Sequence, residues 1–181
     1  MSLLKLHIGC ADKKLDGFIN IDVRKTNATD IVAPAWDITD IKNNSVDVIY
    51  TRHMLEHLDP NDARLALNHW FDLLKDDGIL HLIVPDIEFH AKQLLGLVKA
   101  NRFENQVEHA FAGFWGWRDE TRGGSREDAH KWGYTQNTLF EELKKAEFNA
   151  FARINQGKDS EPWHLNIVAT KTAEKLKSLF S

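Results

Sequence analysis

The chain has one cysteine, Cys10, among its 181 residues, so no disulfide can close within it. A lone thiol suits a reducing compartment, and a cytoplasmic location is the expectation. No apolar run approaches the ~20 residues that a membrane span requires. The opening apolar stretch, residues 3–10, is too short and too polar for a signal peptide. Charge of one sign is also scarce: the net charge is −4, with acids and bases interspersed. That balance lacks the electrostatic footprint of a nucleic-acid or anionic-membrane binder. There is no internal repeat and no low-complexity linker. What is present is enough apolar material, 43% of residues, to exclude disorder by composition. The length suits one domain, 1–181, that can bury a core without disulfides or a structural metal. A small-molecule partner is expected, with no nucleic acid and no membrane span.

Strand and helix signals alternate along the chain. Residues 3–8, 18–23, 30–33 and 46–50 read as strands. A helix opens after Leu58-Asp59-Pro60, with Ala63, Leu67, Trp70, Phe71 and Leu74 at helical spacing. Asp77-Gly78 stops it. Residues 79–84 are nearly all apolar, which predicts a strand covered on both faces. Pro85 ends that strand, and Asp86 can cap a helix reaching about Lys99. Residues 102–133 read as an irregular, aromatic-rich insertion, in which Gly123-Gly124-Ser125 is expected to be a mobile loop over the site. Thr135 caps a helix to Ala146, two strands joined by a hairpin loop at 156–160 follow, and residues 171–180 form a polar helix or tail. This order predicts a Rossmann-like α/β fold: a mostly parallel, doubly wound sheet with a C-terminal antiparallel hairpin strand. Ligands of such sheets bind beyond the carboxyl ends of the strands, where strand order reverses.

The residues just after the predicted strands are therefore the candidates. Gly9 lets a ligand approach the backbone and leaves amides, including that of Cys10, to bind polar groups. It is one glycine where dinucleotide folds use three. Asp22 can accept hydrogen bonds from both hydroxyls of an adenosine ribose. Asp37 can accept from an adenine amino group while Ile38 or Trp36 packs on the ring. Thr51, His53 and His57 follow the fourth strand. His53, Glu56 and His57 also fit H-x-x-E-H, in which two histidines on one helix face ligate zinc and the glutamate is the base. Pro60 leaves barely one helical turn there, and no third ligand is marked downstream, so no metal is expected.

Read together, these segments resemble the class I S-adenosylmethionine-dependent methyltransferases, in particular small methyltransferase type 11-like members. Residues 6–11, 17–22, 45–57, 73–80 with Pro85-Asp86, and 132–148 are similar to that family's successive motifs. Two features depart from it: His7 stands where an acid is usual, and Ala11 stands where the second glycine is usual. The first crossover is too short for the usual helix. The resemblance implies the cofactor S-adenosylmethionine and a transferase activity on an unidentified small-molecule or glycan-type acceptor. It implies cofactor contacts at Gly9, Cys10, Asp22, Asp37, Ile38, Thr51, His53 and His57. Asp86 and His130 are the candidate bases, and the aromatic insertion would cover the acceptor. The alternatives are a metal-dependent hydrolase built on His53, Glu56 and His57, or a non-catalytic nucleotide-binding relative.

Overall fold

The computed structural model describes residues 3–120 and 124–181. Its elements are β1 (Lys5–Ile8), β2 (Ile19–Asp22), β3 (Ile31–Val32), β4 (Val46–Arg52), α1 (Pro60–Leu73), β5 (Leu74–Pro85), α2 (Ile87–Leu94), α3 (Gln106–Trp115), α4 (Gln136–Lys145), β6 (Ala150–Arg153), β7 (His164–Thr170) and α5 (Ala173–Ser178). The strands form one seven-stranded sheet in the order β3-β2-β1-β4-β5-β7-β6. Strands β1 to β5 pair in parallel, and β7 runs antiparallel to both β5 and β6. This is the Rossmann-like α/β sheet that the sequence predicts. Strand order reverses between β1 and β4, which places a crevice at their carboxyl ends.

Alternate strand residues point to opposite faces. Leu6, Ile8, Ile49, Leu80, Leu82, Leu165 and Ile167 pack into one core with Ala66, Leu67, Trp70 and Leu73 of α1 and Leu139 and Leu143 of α4. Helix α1 starts on Pro60 at its first turn, where a missing N–H costs nothing. Asp59 occupies the cap position, but its side chain makes no cap bond. Thr135 caps α4 through Thr138 N in a reciprocal capping box.

The opposite parity of the strands carries polar rings. His7, Tyr50 and His81 follow one another across β1, β4 and β5, with centroids 5.5 and 5.3 Å apart. Ile79 and His81 are only half-buried, so β5 is not covered on both faces as its apolar run suggests. The reason lies in the first crossover. Residues 9–18 contain turns but no helix. Asn20, fully buried, holds that loop instead. Its amide donates to Leu15 O, Phe18 O and Asp30 Oδ2 and accepts from Leu15 N, and its Oδ1 lies 3.0 Å from His7 Nδ1.

Two helices differ from expectation. α2 stops at Leu94 rather than near Lys99, and α3 occupies part of the segment read as irregular. Val107, Phe111 and Trp115 of α3 are all exposed, so apolar residues surround this helix and blur its 3.6-residue period. Gly123 of the expected mobile loop lies outside the described residues, whereas Gly124 donates its N–H to Asp119 O. No helix among the described residues is long and apolar enough to cross a membrane.

Candidate active site

Two clefts open along the carboxyl edge of the sheet. The first, of about 460 Å³, lies over the ends of β1, β2 and β3. Gly9 and Asp22 border it, Ile8, Ile21, Pro34, Trp36, Met54 and Leu58 give it an apolar lining, and Arg24, Arg126 and Lys131 supply cations. The second, of about 440 Å³, lies beyond β4, β5 and β7 and is rimmed by α3 and the β6–β7 loop. His53 and Asp128 line both, so they form the shared wall.

Gly9 leaves β1 at φ +76°, a conformation that favours glycine, and a Cβ there would lie 2.2 Å from Met54 Cγ. The amides that follow are already engaged. Gly9 N and Cys10 N both donate to Ile21 O, and Ala11 N donates to Asp22 Oδ2 at 2.8 Å. The expectation of free amides at this turn is therefore corrected: β2 takes them up. Asp22 is not an exposed strand end either. It is buried, and its other oxygen accepts from Arg24 N at 2.9 Å. A carboxylate has about four lone-pair sites, so two remain for ribose hydroxyls.

His53 follows β4 at φ +50°, a left-handed value unusual for a side-chain-bearing residue. A single 3₁₀ turn, Leu55–His57, comes next, so His53 and His57 do not share an α-helical face. The zinc geometry that H-x-x-E-H requires is absent. Instead the turn buries Glu56 between histidines. Its Oε1 lies 3.1 Å from His53 Nδ1 and 3.9 Å from His130 Nε2, while Oε2 is buried without a partner. Full burial pushes the Glu56 carboxyl up. The bond from His53 and the neighbouring imidazoles outweigh that and leave it below the usual carboxylate range. Burial lowers His130, against the pull of Glu56.

The stretch 128–132 is fastened to this turn. Lys131 N and Trp132 N both donate to Glu56 O, His57 Nδ1 lies 3.1 Å from Ala129 O, and His130 Nδ1 lies 3.0 Å from Gly113 O. Gly116, at φ +81°, lets Asp128 O approach so closely that a Cβ would sit 1.6 Å from it.

Of the residues expected to hold a cofactor, Gly9, Asp22, His53 and His57 line the first cleft. Cys10, Ile38 and Thr51 do not, being buried in the interior. Asp37 is exposed outside the cleft, and its neighbour Trp36 lines it instead. His130 lines the second cleft. Asp86 lines neither: Oδ1 caps α2 at Glu88 N and Phe89 N, and Oδ2 holds Arg153 at 3.0 Å. Sequence reading missed the second cleft almost entirely. Its Arg52–Asp159 pair is 107 residues apart in the chain, and its Arg102–Glu161 pair also joins distant segments. His90, His109 and His164 there are all pushed down to about 4, chiefly by burial.

A mostly parallel sheet of this order, with a glycine turn after β1, a carboxylate at the end of β2 and paired clefts at the switch point, has the architecture of a nucleotide-binding α/β fold. The model of the methyltransferase domain family matches residues 10–150, and the chain belongs to that family. Its cofactor is S-adenosylmethionine. No curated protein matches the sequence. Many solved structures share the fold. A methyltransferase of Archaeoglobus fulgidus is 14% identical, with a TM-score of 0.59 over 92% of this chain and 85% of its own. One from Methanosarcina mazei is 15% identical, at 0.56, over 94% and 93%. The 1,6-didemethyltoxoflavin-N1-methyltransferase of Burkholderia thailandensis, with 1,6-didemethyltoxoflavin and S-adenosylhomocysteine bound, is 12% identical, at 0.57, over 93% and 71%.

The first cleft fits that cofactor. It is within the usual size range of small-molecule sites, about 300–1,000 Å³. Its apolar lining suits a nucleoside, Asp22 keeps lone pairs for a ribose, and Arg24, Arg126 and Lys131 suit a carboxylate.

Proposed function

We propose that the chain methylates a small hydroxyl-bearing acceptor of sugar type, held in the second cleft, with His53 as the general base. The shared wall carries this reading: among the described residues His53 is the one imidazole that borders both clefts. When bound, S-adenosylmethionine supplies an electrophilic methyl group. Asp22 and Trp36 would hold its adenosine end, and the cations of the first cleft its carboxylate. Methyl transfer needs alignment of acceptor and methyl, which two abutting clefts provide.

Glu56 accepts from His53 Nδ1 and fixes the ring with Nε2 as the basic atom. That nitrogen can take the acceptor hydroxyl proton as the oxygen gains its methyl group. His130 is less suited, because its Nδ1 faces Gly113 O and its Nε2 faces Glu56. Phe103, Trp117 and Trp163 offer aromatic surface to a sugar ring, and the paired charges of Arg52 and Asp159 offer both donors and acceptors to its hydroxyls.

The test is a screen of sugars and glycosides for methyl transfer, followed by kinetics on His53→Ala. A general base contributes about 10²–10⁴-fold, so kcat should fall by that factor. Binding of S-adenosylhomocysteine, followed by calorimetry, should weaken far less. Full activity in His53→Ala would remove His53 from the chemistry.

A further inference from the structure

One feature of the wall between the clefts exceeds what methyl transfer demands. Glu56, His57 and His130 each bring a ligand atom within 4.8 Å of the other two. Both imidazoles turn Nδ1 to a backbone carbonyl, as metal-bound histidines do. The Nδ1 of His57 is taken by Ala129 O and that of His130 by Gly113 O. Each Nδ1 then donates to a carbonyl, which leaves Nε2 as the ring atom free to face a ligand. The third member is a carboxylate that is 1% exposed and has an oxygen with no partner at all. A buried carboxylate with an unmatched oxygen, gathered with two partly buried imidazoles, is an arrangement that a cation would stabilise.

We propose that Glu56, His57 and His130 form a binding site for a divalent first-row transition-metal ion. Two imidazoles and a carboxylate are a donor set for Zn²⁺, Mn²⁺, Co²⁺ or Fe²⁺ rather than for Ca²⁺ or Mg²⁺. The supporting contacts are of the right kind. Metal-bound histidines donate their second nitrogen to a carbonyl or carboxylate, and metal-bound carboxylates are themselves hydrogen-bonded. Here two backbone carbonyls serve the histidines, and His53 serves Glu56. Imidazole nitrogens bind such ions at about 2.0–2.1 Å, so binding would draw the three atoms inward. The set differs from the one that H-x-x-E-H suggests, since His53 becomes a supporting contact and His130, 73 positions after His57, takes its place. Given the acceptor reading above, an open coordination position on the side of the second cleft, which His130 lines, would take an acceptor oxygen.

A second group, Asp159, Glu161 and His164, also has ligand atoms within 4.8 Å. Both its carboxylates are already neutralised, by Arg52 and Arg102, so a metal there would have to displace guanidinium groups.

The test is metal binding by the chelator-treated protein, without cofactor or acceptor. Co²⁺ is titrated in and followed by its visible absorption, with Zn²⁺ competition giving affinity. One ion per chain is expected. His57→Ala and His130→Ala should each weaken it by at least the ~10–100-fold that loss of a supporting contact costs. Glu56→Gln should do the same, and circular dichroism checks that this buried change leaves the fold intact. If it does not, the two histidine variants carry the test. His164→Ala should bind as the wild type does. Absence of stoichiometric binding, or binding lost in His164→Ala but kept in His57→Ala and His130→Ala, overturns the site. Because no substrate is used, a methyltransferase that binds no metal sinks only this inference. A metal-binding chain that methylates no acceptor sinks only the proposed reaction.

Discussion

Between β4 and β5 the chain crosses the sheet on a fourteen-residue helix, and Trp70, Leu67 and Leu73 bury its apolar stripe. Between β1 and β2 it crosses on a loop, and the buried group that organises it is an amide, Asn20. The β4–β5 crossover is stabilised by apolar area and close packing, which are non-directional and tolerate a volume-conserving change. The β1–β2 crossover relies on hydrogen bonds, which are worth little net when made and much when broken. The same sheet therefore contains one half sensitive to volume and one sensitive to polar geometry. The polar half also holds the first cleft, where Asp22 both borders the cavity and ties down Ala11 and Arg24.

The sharpest test of the apolar half is Trp70→Ala. The ring is fully buried, and its Nε1 donates to Ala35 O at 2.8 Å. Truncation should cost about 3–5 kcal/mol in denaturant unfolding. A loss below 1 kcal/mol would mean that this half does not depend on packing. Next is Asn20→Leu, nearly isosteric but apolar. It strands Leu15 N and its carbonyl partners, and should cost about 2–4 kcal/mol although it adds buried hydrocarbon. A neutral or stabilising result would erase the contrast between the halves.

A third prediction concerns buried polar groups that titrate, which the Asn20 amide does not. His90 is pushed down to about 4 by burial first and by the nearby His109, and an unfolded histidine sits near 6.5. Between those values the unfolded chain binds more protons, so stability falls as pH drops from about 6.5 to about 4. This group should remove roughly 1–2 kcal/mol between pH 7 and pH 5, and His90→Gln should show that much less loss in paired melts. An identical slope in both proteins would show that His90 is solvated.

The smallest effect is a gain. Ala11 sits at φ +47°, in the left-handed region that costs an L-residue roughly 1–2 kcal/mol. The tie from its N–H to Asp22 holds it there. Ala11→Gly should raise stability by up to about 1 kcal/mol, because relief of strain exceeds the added freedom of the unfolded chain. A lower melting temperature would show that the turn is not strained.

The fold was legible because its signals are local. Strand runs, the Pro60 start, Thr135 as a cap and the glycine after β1 act within a few residues, and their order dictates a mostly parallel sheet. Gly9, Asp22, His53 and His57 were legible as cleft residues for the same reason: strand ends are where such sheets bind ligands. Ile38 and Thr51 follow the same rule but face inward, since the rule fixes position along a strand and not the direction of a side chain. Asp86 matched the rule too, but the N-terminus of α2 and Arg153 take up its carboxylate. Tertiary structure alone decided that His130 joins the local His53, Glu56 and His57 stretch, and that Arg52 meets Asp159. Those contacts join segments that no local pattern links, and they form only when the sheet brings the 3₁₀ turn, the stretch 128–132 and the β6–β7 loop to one edge.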